Sequence, residues 1–64
     1  MNFFYKYYDR NGKIITSGSS TCFLSEADFR ACRRKKMAEM PDVHYCEYYE
    51  IGSTRARMKT IANF

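Results

Sequence analysis

Hydrophobic and polar positions along the chain predict short strands around one helix. Residues Phe3 to Tyr8 are aromatic and β-favouring, and a second short run spans Ile14 to Ser17. The five residues between them, Asp9 to Lys13, are polar and contain the pair Asn-Gly. This pattern predicts a β-hairpin at the start of the chain.

The turn of this hairpin leaves two registers open. The pair Asn11-Gly12 tolerates positive φ, which both a type I′ turn and a type I turn with a G1 bulge require. The two turns differ by one residue and pair Ile15 with either Tyr8 or Tyr7. They therefore exchange the buried face of the second strand.

A helix is predicted after the polar link Ser17 to Ser20. Ser25 can cap its free N–H groups, and Asp28, three residues on, completes an acidic variant of the capping box. Leu24 and Phe29 stand at the two positions of a hydrophobic staple. These signals place the start of the helix at Ser25.

The helix is expected to end at about Glu39 or Met40, because Pro41 disfavours the helical conformation in the residue before it. Its apolar stripe is narrow and interrupted by charge. The predicted core-facing residues are Phe29, Cys32 and Met40, with Lys36 along the core edge and Met37 and Arg33 on the flanks.

A third strand is predicted from Val43 to Ile51, followed by a turn at Gly52-Ser53. One face carries Val43, Tyr45, Tyr49 and Ile51, and the other carries His44, Cys46, Tyr48 and Glu50. After the turn, Arg55, Arg57 and Lys59 alternate with Thr54, Ala56, Met58 and Thr60, as in an edge strand. A short C-terminal helix also fits Met58, Ile61 and Ala62.

The predicted fold class is therefore α+β. A small antiparallel sheet, in the order ββαββ or ββαβα, carries one helix on one face. With 64 residues the chain is expected to form a single domain, 1–64, with too little apolar surface to enclose a deep cleft. This size favours binding by an exposed face over catalysis.

Net charge and cysteine content limit the classes of partner and the cellular compartment that we expect. A formal charge of +4 favours acidic partners, either nucleic acid or an acidic protein surface. The cysteines Cys22, Cys32 and Cys46 are odd in number and lack the spacing of a disulfide framework. With no signal-peptide pattern and no membrane-length apolar stretch, we expect free thiols, a cytoplasmic location and no membrane partner.

The residues that bind zinc elsewhere are present in an unfavourable pattern. Cys22, Cys32, His44 and Cys46 supply the side chains of a tetrahedral site, but only His44 and Cys46 are close in sequence. The same pair resembles a nucleophile and its base, but no orienting carboxylate or oxyanion hole can be named. The expectation is a non-enzymatic protein without metal or cofactor.

Basic residues form the best candidate binding surface. They crowd the helix and recur along the last predicted strand, in positions that can track a phosphate backbone. The alternatives are a helix end that complements its macrodipole and a charged strand that protects a sheet edge. The candidate partner-binding residues are Arg30, Arg33, Arg34, Lys35, Arg55, Arg57, Lys59 and Tyr48, with Lys36 in the same helical cluster.

In size and element order, the chain resembles small phage-encoded inhibitors of host machinery, such as inhibitors of bacterial RNA polymerase and anti-CRISPR proteins. The likeness runs from Phe3-Phe4-Tyr5-Lys6-Tyr7-Tyr8 through Ser25-Glu26-Ala27-Asp28 to Tyr45-Cys46-Glu47-Tyr48-Tyr49. It implies a protein of the bacterial cytoplasm that blocks a host protein or nucleoprotein complex, such as a CRISPR effector or a polymerase, by steric occlusion. The oligomeric state stays open.

A second resemblance implies nucleic-acid binding instead. The hairpin from Phe4 to Thr16 followed by a helix is similar to the arm domains of phage integrases, which insert a sheet into the major groove. This alternative requires the stripe of Arg55, Arg57 and Lys59 to lie on the exposed face of the sheet.

Overall fold

The computed structural model describes residues 1–21, 25–52 and 57–63. Its elements are β1 (Phe3–Tyr8), β2 (Ile14–Ser20), α1 (Glu26–Ala38), β3 (Tyr45–Glu50) and β4 (Lys59–Ala62). The strands form one antiparallel sheet in the order β2-β1-β3-β4. The α+β class and the order ββαββ are confirmed, and the alternative of a C-terminal helix over β4 is wrong.

Strand alternation sends one set of side chains under the helix. The buried core comprises Phe3, Tyr7, Phe29, Met37, Val43, Cys46, Tyr48 and Ile61. Phe29 of the helix stacks on Phe3 of β1, with ring centroids 4.3 Å apart, and lies 5.0 Å from the ring of Tyr48 in β3. The helix therefore packs on the two central strands, and the opposite side of the sheet has no helix in the described structure.

The hairpin turn is a type I turn followed by a G1 bulge. The Gly12 N–H donates to the Asp9 carbonyl at 3.0 Å, and Gly12 has the left-handed φ of 82° that this position requires. A second irregularity follows, because Tyr8 pairs with Ile14 and Tyr7 with Thr16. Ile15 is the extra residue of this bulge, so neither predicted partner of Ile15 is correct.

Strand β2 continues through Ser17 to Ser20, which had been predicted as a linker. Gly18 explains how this polar run stays in the sheet. It pairs with Tyr5, whose ring lies over it so closely that a Cβ at Gly18 would come within 2.9 Å of the Tyr5 hydroxyl oxygen. The aromatic ring covers a residue with no side chain, and the serines stay solvated on an edge strand.

The start of α1 is confirmed. Ser25 is its N-cap, and the Ser25 hydroxyl accepts a hydrogen bond from the Asp28 N–H at 3.2 Å. The helix ends at Ala38, with Glu39 as the C-cap, close to the predicted end. Leu24, the other half of the predicted staple, lies outside the described residues.

The predicted core side of α1 is partly wrong. Phe29 is buried as expected and Met40 is half-buried against the core, but Cys32 is only half-buried. The positions that complete the buried stripe are Arg33 and Met37. Arg33 was assigned to the flank because it is not apolar, whereas its guanidinium lies over the rings of Tyr5 and Phe29 and donates to the Tyr7 hydroxyl.

Because the cap satisfies a helix N–H that is otherwise unpaired, we expect Ser25→Ala to lower the free energy of unfolding by about 1 kcal/mol. Denaturant melts of the two proteins measure this difference. Ser17→Ala, in the exposed edge strand, is the matched control and should change the midpoint little. Equal midpoints for wild type and Ser25→Ala would contradict the capping role.

Candidate functional site

The structure divides the basic residues of α1 into two groups. Arg34, Lys35 and Lys36 are exposed, and in the described part of the chain none of them forms a salt bridge. We call these three residues the helix patch. Arg30 and Arg33 instead contact the sheet and the core, and so belong to the fold.

Arg33 lies in the interior, with only 9% of its surface exposed. Its Nη1 donates to the Tyr7 hydroxyl at 2.9 Å, and the guanidinium carbon lies 4.7 Å from the centre of the Tyr5 ring. Burial opposes the charge, but a hydrogen bond to Cys32 Sγ and the interactions with Tyr7 raise the pKa of Arg33 above its usual value. The prediction that Arg33 lies on an exposed binding surface is wrong.

Tyr48 is also interior, with 1% of its surface exposed, so its predicted role as a surface contact is wrong. Its hydroxyl accepts a hydrogen bond from Arg30 Nη1 at 2.7 Å and donates one to Glu26 Oε2 at 3.0 Å. Burial is the main reason that the pKa of Tyr48 is raised. The hydroxyl thus joins the first turns of α1 to β3.

Lys59 completes this network from the edge strand. Its Nζ lies 2.9 Å from Glu26 Oε2, and this contact is the main reason that the pKa of Glu26 is lowered and that of Lys59 raised. Lys59 shares a strand face with the buried Ile61, which places its side chain on the helix side of the sheet. The cation of Lys59 is therefore already engaged within the chain.

The predicted basic stripe is not assembled on β4. Arg57 is exposed but precedes the strand, which begins at Lys59. Arg55 lies outside the described residues. Of the three predicted positions, only Lys59 is part of a described strand, and it faces the helix.

Aromatic and charged side chains cover the side of the sheet opposite the helix. We call Phe4, Lys6, Tyr8, Tyr45, Glu47 and Tyr49 the open face. These residues are half-buried and stand in three cross-strand layers, with Phe4 opposite Tyr49, Lys6 opposite Glu47 and Tyr8 opposite Tyr45. A pair of rings therefore lies at each end, and a lysine and a glutamate occupy the middle.

The ring pairs are in direct contact. The centroids of Tyr8 and Tyr45 are 4.8 Å apart and the rings nearly parallel, at 9°. Phe4 and Tyr49 lie 5.6 Å apart. A hydrogen bond with the Glu47 carboxylate is the main reason that the pKa of Tyr8 is raised. Such rings combine large contact area with polar tips, as at many protein interfaces.

None of the partner-binding residues predicted from the sequence is among the six residues of the open face. Tyr48, the only tyrosine among the predicted contacts, is buried on the helix side of the sheet. The alternation of Tyr45 and Tyr49 with Cys46 and Tyr48 was correct within β3, but both sets contain aromatic residues. The pattern therefore did not indicate which set lies under the helix.

The thiol of Cys46 is fully buried in the core, and this burial raises its pKa to about 11. A thiol held protonated at neutral pH is a poor nucleophile and a poor metal ligand. Among the described residues no group of three or more His, Cys, Asp or Glu side chains is placed to hold a metal ion. Cys22, a member of the predicted zinc set, lies outside the described residues.

Burial of Cys46 predicts a loss of stability in alkali. The thiol has an ordinary pKa of 9.0 and a folded-state pKa of about 11. Its contribution to the free energy of unfolding is therefore fully present below pH 9.0 and is lost as the pH rises through 11. The expected loss is roughly 2–3 kcal/mol. Denaturant melts at several alkaline pH values, with Cys46→Ala as the control, measure it. An equal alkaline loss in both proteins would contradict this origin.

Comparisons of the chain with protein-family models, curated proteins and solved structures find no match. Within the described residues, no helix has the length and apolar composition needed to cross a membrane.

Proposed function

We propose that the chain is a non-enzymatic binding protein whose helix patch docks on an acidic surface of a host protein or nucleoprotein complex and blocks that surface. The observation that carries the proposal is the separation of the helical cations. Arg30 and Arg33 serve the fold, whereas Arg34, Lys35 and Lys36 are exposed and form no salt bridge within the described structure.

The geometry of the helix patch suits a broad acidic partner. Three consecutive helical residues fan out over about 200° of the helix surface, at about 100° per residue. Alanines at positions 27, 31 and 38 are exposed between and beside these cations, so a partner can approach the helix closely. The net charge of +4 supports attraction to an acidic surface at long range.

Part of the patch also has a structural role. Lys35 and Lys36 lie in the last turn of α1, where cations complement the helix macrodipole. That interaction contributes at most about 1 kcal/mol at an exposed site. It leaves the charges available to a partner, because the macrodipole holds no side chain in a fixed ion pair.

The arm-domain alternative loses its main support. It needs a basic stripe on the exposed sheet face, but Lys59 lies on the helix side and is paired with Glu26. The open face carries one lysine and one glutamate at its centre. Among the described residues, the open face therefore offers a nucleic acid no basic stripe.

A differential pull-down from bacterial lysate tests the proposal. We expect Arg34→Glu combined with Lys35→Glu to abolish capture of the partner, because two attractive charges become repulsive. The control is Arg10→Glu with Lys13→Glu, which changes the net charge equally at exposed hairpin positions. Equal loss of capture in both double variants would mean that net charge alone explains the effect. Capture of the partner by both double variants would contradict a role for the helix patch.

Salt dependence separates a protein partner from a nucleic acid. A nucleic acid releases counterions on binding, so its affinity falls steeply and linearly on logarithmic axes as salt rises. A protein interface with a few charges at its rim responds more gently. We expect the affinity for the captured partner to show the gentler dependence on salt. We also expect the partner to lose access to its natural ligand when this chain is bound.

A further inference from the structure

We propose that the open face is the interface of a symmetric homodimer, in which a second copy of this chain packs sheet against sheet. This inference is independent of the proposed function, because the helix patch lies on the opposite side of the sheet. It rests on the layering of the open face, on two charges of that face that form no salt bridge among the described residues, and on the position of the remaining cations.

The open face has an internal pairing that a second copy can match. The layers are aromatic, charged and aromatic along strands β1 and β3. A two-fold axis parallel to these strands, running between the two sheets and midway between β1 and β3, places β1 of each copy over β3 of the other. Each layer then meets the same layer of the second copy.

In this arrangement the charges are complementary. Lys6 of each copy lies over Glu47 of the other, and Phe4 lies over Tyr49. A two-fold axis across the strands would instead place Lys6 over Lys6 and Glu47 over Glu47, which is repulsive. Packed sheets are commonly rotated by about 30°, but the central layer lies at the centre of that rotation and keeps its alignment.

Within one chain, Lys6 and Glu47 do not form a salt bridge with each other. Lys6 and Glu47 are directly opposite in register, yet they form no salt bridge in the described structure. The Lys6 ammonium lies 5.9 Å from the centre of the Phe4 ring, and Glu47 interacts with the Tyr8 hydroxyl. Both are thus available to the opposite charge of a second copy.

Apolar contact area comes from the rings and from the hairpin. Ile14, 55% exposed, lies opposite Tyr8 and extends the open face at the hairpin end. Four strands with a spacing of about 4.8 Å and lengths of about 20 Å give a flat area of roughly 400 Å² per copy before side-chain relief is added. The two copies together bury about 800 Å² on this flat measure, so side-chain relief must add to it before the dimer reaches the size of a weak, transient interface.

The distribution of charge also favours this face over others. Each copy carries a net charge of +4, which disfavours contacts between basic surfaces. Face-to-face packing brings together surfaces that each hold one lysine and one glutamate. It leaves the two helix patches on opposite outer sides, where both remain available to partners.

A charge-swap experiment tests the dimer. Light scattering coupled to size exclusion, across micromolar concentrations, should give a dimer for the wild type and monomers for Lys6→Glu and for Glu47→Lys. An equimolar mixture of the two variants should form a heterodimer, because one open face then carries two negative charges and the other two positive charges. The double variant should dimerise like the wild type.

Far-ultraviolet circular dichroism of each variant checks folding. A measurement without variants provides a second test: on dilution of the wild type, NMR chemical shifts should change at Phe4, Tyr8, Tyr45 and Tyr49 and stay constant at Ala31 on the helix. A wild type that stays monomeric at every concentration overturns the proposal. Binding of single-stranded DNA by the open face of such a monomer would assign that face to a different partner. Single variants that dimerise like the wild type also overturn it.

Discussion

Replacing Arg33 with Glu should lower the free energy of unfolding by about 3–5 kcal/mol. The substitution removes the donor to the Tyr7 hydroxyl and puts a carboxylate against the electron-rich faces of Tyr5 and Phe29. Only 9% of the residue is exposed, so water does little to screen the new charge. Because a chain of this length has a total stability of a few kcal/mol, the variant should be largely unfolded at room temperature.

The neighbouring Arg34→Glu makes the same chemical change on the exposed side of the helix. It should change stability by no more than about 0.5 kcal/mol. Thermal and denaturant melts of the two variants, measured together, give the difference. Similar destabilisation by both, or by neither, would contradict the burial of Arg33 that separates the fold from the helix patch.

The second large effect is expected for Phe29→Ala, which should destabilise the fold by about 3–5 kcal/mol. Phe29 is fully buried and stacks on Phe3 at 4.3 Å, with Tyr48 at 5.0 Å. Removing the ring leaves a cavity at the centre of a thin core, where few other side chains can fill it. The helix would lose its main contact with both central strands.

Met58→Ala serves as the control, since Met58 is 48% exposed and precedes β4. It should leave the denaturation midpoint almost unchanged. Chemical denaturation followed by far-ultraviolet circular dichroism measures both variants. A midpoint for Phe29→Ala close to that of the wild type would contradict the arrangement of α1 on the sheet.

Local chemistry made the element order predictable from the sequence. Ser25 and Asp28 placed the start of the helix, and Asn11-Gly12 placed the hairpin turn. These signals act between neighbouring residues and need no tertiary information. Ser17 to Ser20 were assigned wrongly because their strand conformation depends on Tyr5 in the adjacent strand, which covers Gly18.

The surfaces were harder to predict, because burial here is decided between elements. Arg33 was placed outside the core on charge alone, whereas Tyr5 and Tyr7 provide a ring and a hydroxyl group for its guanidinium. Tyr48 has the same chemistry as Tyr49, and only the position of the helix decides which of them is buried. Arg34 and Lys35 were predicted as surface residues and are exposed, and in the described ranges neither forms a salt bridge.

The affinity of the chain for its captured partner tests the central claim most directly. The measurement compares the wild type, Arg34→Glu with Lys35→Glu, and the control Arg10→Glu with Lys13→Glu at one fixed salt concentration. If the helix patch is the contact, the first double variant should weaken binding by at least about 30-fold, equivalent to about 2 kcal/mol, and the control should bind almost like the wild type. Equal affinities for the two double variants would contradict the assignment of the binding surface to the helix patch.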